Sequence, residues 1–364
     1  MIKLENISKN WENFSLKNIN LEIKNNEYFV ILGPTGAGKT LLLETIAGFH
    51  YPDSGKIIIN NKDITFFPPE KRNTGFVYQD FMLFNHKTVF ENIAYGLRIR
   101  GIKNVEEQVE KMADLVNVKH LLSRYPSTLS GGEKQRTAIA RALIIKPSIL
   151  LMDEPLSALD ALTQKKLRDE LKKIHSETKV TTIHVTHDQE EALVLGDRIG
   201  IVDKGKIVQT GTPEEIFRKP TSEFVANFVG AENIFTGTAE TKENITEIKI
   251  KNVVLYSTST NLRKQICREQ ESKDSCENKK SGKVNVSVRP EDIIISKERM
   301  KSSARNVLFG NVVEIKDKGA IIQLIVDCGL PFTAVITRQS FLDLNINIGA
   351  SVYLYFKAGN VHLF

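Results

Sequence analysis

The sequence predicts an α/β core followed by a separate all-β domain. Three observations carry that expectation. Tyr28–Leu32 is a continuous apolar run of the kind a buried parallel strand has, and it ends in a glycine-rich turn over Gly33–Lys39. From there to about Asp203, strand patterns alternate with helical ones. After about Gly230, helical periodicity gives way to short β-rich runs. With 364 residues the chain has room for two or three domains.

Taken in order, Ile2–Ile7 and Leu16–Ile23 alternate apolar and polar residues, as strands do. Thr40–Ala47 reads as a helix closed by Gly48. Ile57–Ile59 and Thr74–Tyr78 read as strands. Val89–Leu122 carries apolar residues at helical spacing. Buried strands return at Ile149–Met152 and Thr181–Val185. Lys204–Phe217 gives a strand turn and then a helix started by proline. The β-rich runs beyond are Ile248–Leu255, Val284–Val288, Val307–Ile315, Ile321–Val326 and Val352–Phe356. Between them Asn261–Lys283 is almost wholly polar and charged, the composition of a surface loop or a disordered insertion. The expected domains are 1–230 and 231–364, with a helical subdomain at about 81–140 and the polar insertion at about 261–283.

Composition narrows the class. Hydrophobic residues at 41% and charged residues at 26% suit a globular chain. No apolar run approaches the ~20 residues that a membrane helix needs. The opening MIKLENISKNW has no apolar leader segment, so no signal peptide is expected. A role at a membrane would require a spanning part from another chain. Cys267, Cys276 and Cys328 are odd in number and lack metal-ligand spacing, which fits reduced thiols in a cytoplasm. The net charge of +6 suits anionic partners and a solvated lysine-rich surface equally. No nucleic-acid partner is expected.

Two segments carry chemistry by themselves. GPTGAGKT (Gly33, Pro34, Thr35, Gly36, Ala37, Gly38, Lys39, Thr40) has the spacing of a phosphate-binding loop. Its glycines let backbone N–H groups turn toward phosphate oxygens. Lys39 adds a point charge, and Thr40 offers a hydroxyl to Mg²⁺. ILLMDEP (Ile149–Pro155) is an apolar strand ending in two acids. Asp153 can support the Mg²⁺ shell, and Glu154 can orient and polarise an attacking water.

A third segment, LSGGEKQR (Leu129–Arg136), places Ser130, Gly131 and Gly132 before a helix, where free N–H groups make an anion site. It resembles the signature motif of ABC ATPases. The order of the surrounding motifs completes the resemblance over about residues 1–230. Gln79 in FVYQDFMLF is similar to the family's Q-loop glutamine, which implies contact with the γ-phosphate and metal. SALD, Ser157–Asp160, is similar to the D-loop, with Asp160 in its last place. His187 in HVTHDQEEA takes the place of the switch histidine; the THDQ frame selects it over His184. Trp11 is the expected adenine platform, with Phe14 as the alternative. The resemblance implies ATP and Mg²⁺ bound between two copies of the chain, head to tail, each signature loop covering the other's nucleotide. It also implies a place on the cytoplasmic face of the cell membrane, beneath an integral-membrane permease dimer.

The tail resembles the β-rich regulatory extensions of importer ATPases for sugars, spermidine, iron and oxyanions. VRPEDI (Val288–Ile293) is shared across that group. SSARNVLFGNVVEI (Ser302–Ile315), ITRQSF (Ile336–Phe341) and YFKAGNVHL (Tyr355–Leu363) resemble an OB/MOP-like molybdate-binding barrel. Together with KNWENFSL, EYFVILGPTGAGKT and IAGFHYPDSG, they make the chain similar to archaeal molybdate/tungstate import ATPases. A tetrahedral dianion needs a hydroxyl, a guanidinium, backbone N–H groups and an ammonium. Ser303, Arg305 and Asn306 offer the first three kinds, and Lys357 the fourth. Gly359 stands where such modules often have a serine, so one hydroxyl is missing. The resemblance further implies an extracytoplasmic oxyanion-binding protein upstream of the permease, and regulation by molybdate or tungstate. The competing cargoes are sugar, polyamine, ferric ion and sulfate. A soluble ABC protein of translation or DNA repair is disfavoured, because the chain has one cassette and no long heptad run. A pure oxyanion sensor is disfavoured by the full set of hydrolysis motifs.

Overall fold

The computed structural model describes residues 1–242, 245–259 and 281–364. The chain divides into two compact units, Met1–Ile216 and Phe217–Phe364. Among the described residues no helix is long and apolar enough to cross a membrane.

The first unit begins with an antiparallel hairpin, β1 (Ile2–Asn10) and β2 (Ser15–Ile23). The chain then enters β3 (Tyr28–Leu32), buried at every residue, and turns through the glycine-rich loop into α1 (Lys39–Ala47). Gly48 closes α1 in the left-handed region (φ 91°), its N–H bonded to the carbonyls of Glu44 and Thr45. β4 (Ser54–Ile59) and β5 (Lys62–Asp63) return to the hairpin, giving a sheet of order β2-β1-β4-β5. β6 (Thr74–Val77) is an edge strand of the second sheet, to which β3 already belongs.

Helices follow: α2 (Val89–Ile99), α3 (Val105–Leu115) and α4 (Gly131–Leu143). The expected continuous helical stretch is broken where Gly101 (φ 62°) and Asn104 (φ 57°) take left-handed conformations. The first of these helices starts at Val89, as the helical spacing predicts, and Phe81 and Met82 before it take left-handed conformations in a loop. β7 (Ile149–Asp153), α5 (Ala161–Thr178), β8 (Thr181–Thr186), α6 (Gln189–Leu195), β9 (Arg198–Asp203) and β10 (Lys206–Gly211) complete the unit. The second sheet has order β10-β9-β3-β8-β7-β6, parallel except for β10. Its parallel strands all end on one side, and there the functional loops gather. α7 (Pro213–Arg218) crosses the division between the units.

The second unit opens with α8 (Glu223–Phe228) and β11 (Asn233–Lys242). The β-rich run over Ile248–Leu255 spans parts of two strands, β12 (Ile245–Ile250) and β13 (Val253–Ser257). They pair antiparallel across a turn in which Lys251 has φ 50°. β14 (Ser281–Val288) takes in the last three residues of the expected polar insertion, with Ser281–Lys283 opposite Thr238–Glu240. Cys267 and Cys276 lie outside the described residues. β15 (Ile294–Ser296), β16 (Asn306–Asp317), β17 (Ile321–Asp327), β18 (Pro331–Thr337), α9 (Arg338–Asp343), β19 (Ser351–Phe356) and β20 (Val361–Leu363) finish the chain.

The strands form two five-stranded antiparallel sheets, β13-β12-β11-β14-β20 and β15-β19-β16-β17-β18. They share one core that includes Leu255, Val286, Phe332 and Leu354. β11 escapes sequence reading because its run, NIFTGTAETK, carries few apolar residues and is half exposed. The unit is all-β apart from short helices, as expected.

Candidate functional site

The glycine-rich loop is shaped by two backbone requirements. Gly36 and Gly38 have φ of 79° and 97°, conformations that side chains resist. A methyl group on Gly33 would lie 2.3 Å from the Val202 carbonyl oxygen, and one on Gly38 would lie 2.3 Å from the Phe14 ring. Pro34 and Gly38 are half-buried, Thr35, Gly36 and Thr40 face solvent, and Ala37 is buried. Lys39 is buried inside the loop it follows. Its ammonium donates to the carbonyls of Gly33 and Pro34, each at 3.0 Å, and lies 3.6 Å from Glu154 Oε1. Burial lowers its pKa, against the pull of Glu154 and Asp153.

β7 delivers both acids to the same place. Thr40 Oγ1 donates to Asp153 Oδ1 at 3.0 Å. Burial raises the Asp153 pKa, the Thr40 bond opposes it, and the Glu154 and Glu44 carboxylates add to the rise. Glu154 leaves the strand in a left-handed conformation (φ 41°), rare for a residue with a side chain and costing about 1–2 kcal/mol. Its N–H still bonds the Val185 carbonyl at 2.9 Å. Its carboxylate sits between two cation-capable groups, Lys39 on one oxygen and His187 Nδ1 at 3.0 Å from the other. His187 follows β8 directly. His184, the rejected alternative, is fully buried between the Tyr28 hydroxyl (2.8 Å) and Glu191 (3.1 Å). The structure thus brings Lys39, Thr40, Asp153, Glu154 and His187 together.

The other expected residues stand apart from that cluster. Gln79 is exposed in the loop after β6. Trp11 meets His50 edge-on at 5.5 Å, and Trp11, Phe14, Gly36 and Lys204 border a cavity of about 440 Å³ beside the glycine-rich loop. Asp160 caps α5, accepting from the Thr163 N–H at 3.1 Å. Ser130 caps α4, with half-buried Gly131 and buried Gly132 in the first turn. The Glu133 carboxylate already holds the Ser130 N–H (2.7 Å) and hydroxyl (2.8 Å). The S-x-x-E spacing marks this capping box, which engages the Ser130 N–H and hydroxyl and the Glu133 N–H in the first turn of α4.

In the second unit, Asn306 is buried, and its side-chain amide closes two bonds with the Tyr256 backbone, at 2.7 and 3.0 Å. Only its backbone is left for the role expected of it. One residue beyond the last ladder pair of β16 and β19, Asn306 with Phe356, stand Arg305 and Lys357. Both are exposed, and neither joins an ion pair among the described residues. The Arg305 guanidinium lies over the Tyr256 ring at 5.6 Å. Ser303 is exposed two residues earlier. A residue the sequence did not flag is also present. A methyl on Gly359 would lie 3.9 Å from Thr258 Oγ1, and the Thr258 N–H bonds the Ala358 carbonyl at 3.2 Å. No local pattern marks Thr258, which reaches this corner only through the fold.

With this geometry in hand, the comparisons decide the family. The ABC transporter family model matches residues 16–157, and the TOBE domain model matches 302–363. The molybdate/tungstate import ATP-binding protein of Pyrococcus horikoshii is 46% identical over the whole of both chains. The chain belongs to the ABC transporter ATP-binding family. This ABC ATPase is also 42% identical to the Pyrococcus abyssi molybdate/tungstate import ATP-binding protein, again over all of both chains. It is 42% identical to a spermidine/putrescine import ATP-binding protein of Clostridium acetobutylicum, over all of this chain and 96% of that one. A dimeric ATP-binding cassette in a post-hydrolysis state, bound to ADP and Pi, superposes with TM-score 0.53 and 32% identity. That match covers 58% of this chain and 99% of the other.

Proposed function

We propose that the chain is the ATP-hydrolysing subunit of a molybdate or tungstate importer. It works as a head-to-tail homodimer at the cytoplasmic face of the membrane, beneath a permease dimer supplied by an extracytoplasmic oxyanion-binding protein. The observation that carries the cargo is the Arg305–Lys357 corner. Two unpaired cations beside a hydroxyl suit a tetrahedral dianion and repel a polyamine, the cargo in the name of the Clostridium relative. The Thr258 hydroxyl takes the place of the serine that Gly359 lacks.

ATP is the substrate. The left-handed glycines and the buried Lys39 make a cradle that a phosphate chain fits, with Lys39 exchanging its two carbonyl bonds for phosphate oxygens. Trp11 or Phe14 gives the adenine a stacking face. Mg²⁺, when bound, supplies charge neutralisation at the β- and γ-phosphates. Thr40 and Asp153, already bonded to each other, would hold it, with Gln79 reaching in from its loop. Glu154 orients the attacking water and takes up its proton. His187 fixes one Glu154 oxygen and so sets the direction of the other. Ser130, Gly131 and Gly132 of the second copy cover the γ-phosphate once Glu133 releases the Ser130 donors, and Asp160 lies at the same junction. Phe49, stacked on Tyr78, and Tyr95 of α2, packed on Phe84, are both exposed and supply an apolar surface for the permease.

Calorimetric titration of the nucleotide-free chain with molybdate, tungstate, sulfate and spermidine tests this reading. Molybdate and tungstate should bind, sulfate and spermidine should not, and Arg305→Ala should weaken binding at least tenfold. Binding of spermidine alone would transfer the chain to the polyamine class.

A further inference from the structure

The first unit carries a second cavity, of about 600 Å³, at the opposite end of the parallel sheet from the glycine-rich loop. Its walls include the first residues of β7 and β8, Ile149 and Thr181, whereas Asp153 and His187 lie at or beyond the far ends of those strands. A five-residue strand spans about 15 Å, so the two places are separate. The volume falls within the ~300–1,000 Å³ of small-molecule sites.

Its chemistry is lopsided. Ile2, Ile59, Met112, Leu143, Pro147 and Ile149 make an apolar lining. Lys146 and Lys179 stand on the rim, and no aspartate or glutamate lines the cavity. Both lysines are exposed and both have φ of 49°, a left-handed conformation that lysine adopts at a cost of about 1–2 kcal/mol. Neither joins an ion pair among the described residues. Asn26 lines the same cavity, as do Asn25 and Asn60, whose side-chain oxygens accept from the Met1 ammonium.

We propose that this cavity binds a small soluble molecule with an apolar body and an anionic head. The body lies against Ile149 and Leu143, and the head meets Lys146 and Lys179. Apolar burial supplies the affinity, and the two ammonium groups select the charge. The site sits where three functional elements begin or end. Leu143 closes α4, which starts at the signature loop; Ile149 and Thr181 begin β7 and β8, which lead to Glu154 and His187; and Met112 comes from α3. An occupant therefore bridges the helical layer and the sheet, and its binding alters the rate of ATP hydrolysis. This inference rests on the cavity and on the ATPase activity of the first unit, and stands whichever cargo is correct.

Octyl phosphate is a suitable probe, titrated calorimetrically into the full chain with excess ADP present. It should bind, while octanol and inorganic phosphate should each bind at least tenfold more weakly. The double variant Lys146→Glu, Lys179→Glu lies on the exposed rim and should lose binding at least tenfold, with its ADP affinity unchanged. In the wild type, saturating octyl phosphate should change the ATPase rate at least twofold, and in the double variant it should not. Equal binding of octanol, equal binding by the double variant, displacement by ADP, or an unchanged ATPase rate would each overturn the proposal. Sedimentation with phosphatidylglycerol vesicles that depends on the two lysines would overturn the assignment to a soluble ligand.

Discussion

The two units hold their cationic side chains in different ways. The first curls its own backbone around the ligand position, buries one lysine inside the curl, and sets two acids and a histidine opposite it. The second leaves a guanidinium and an ammonium in solvent at the end of a β ladder, supported by an aromatic ring and a neighbouring hydroxyl. A charge held in a dry cradle acts at full strength and is screened little by salt. A pair of exposed charges acts weakly, reversibly and in a salt-dependent manner. The first arrangement suits chemistry on a bound nucleotide. The second suits sensing of an oxyanion whose concentration varies.

The comparison can be broken at several points. The largest effect is expected from Glu154→Gln, which removes the carboxylate proposed to direct water and should lower turnover by about 10²–10⁴-fold. Nucleotide binding should survive, so ATP should be trapped in a stable dimer, measurable by size-exclusion chromatography. Gly38→Ala forces a methyl toward the Phe14 ring at a left-handed position. Nucleotide affinity should fall about tenfold or more, since strain and overpacking each cost about 1–3 kcal/mol. Adding Phe14→Ala should restore part of it, as read by fluorescent-nucleotide titration.

At the second unit, raising salt from about 0.05 M to 0.5 M should weaken molybdate binding several-fold, while ATP affinity changes less. Asn306→Ala removes two partly buried hydrogen bonds and should destabilise the β unit by about 1–3 kcal/mol without altering the Arg305 charge; thermal unfolding would report it. The smallest expected effect concerns Asp153. Its folded pKa is raised, so its charged form opposes folding. The penalty is absent below the unfolded value near 3.8 and grows as pH rises through the folded pKa. Asp153→Asn should therefore raise the melting temperature at pH 7, and the gain should vanish on acidification.

The same contrast explains what could be read in advance. The cradle, the acids and the histidine lie in short contiguous segments, because parallel strands deliver their loops to one edge and each loop carries its own chemistry. Thr40 and Asp153 are 113 residues apart, yet each is named by its own motif. In the β unit, antiparallel pairing makes the corner, and Thr258, Arg305 and Lys357 come from three separate strands or strand ends. No single segment announces Thr258. Asn306 was legible as a member of that corner but not as a clamp, since its partners are backbone atoms of Tyr256. The break at Gly101–Asn104 and the turn at Lys251 depend on left-handed residues, which hydrophobic periodicity does not register.

The most direct test of the account is the steady-state ATPase rate of the chain assembled with its permease, measured against rising molybdate or tungstate. The account predicts that the rate falls as the Arg305–Lys357 corner fills and stays level in Arg305→Ala. A wild-type rate unchanged at saturating oxyanion would contradict it.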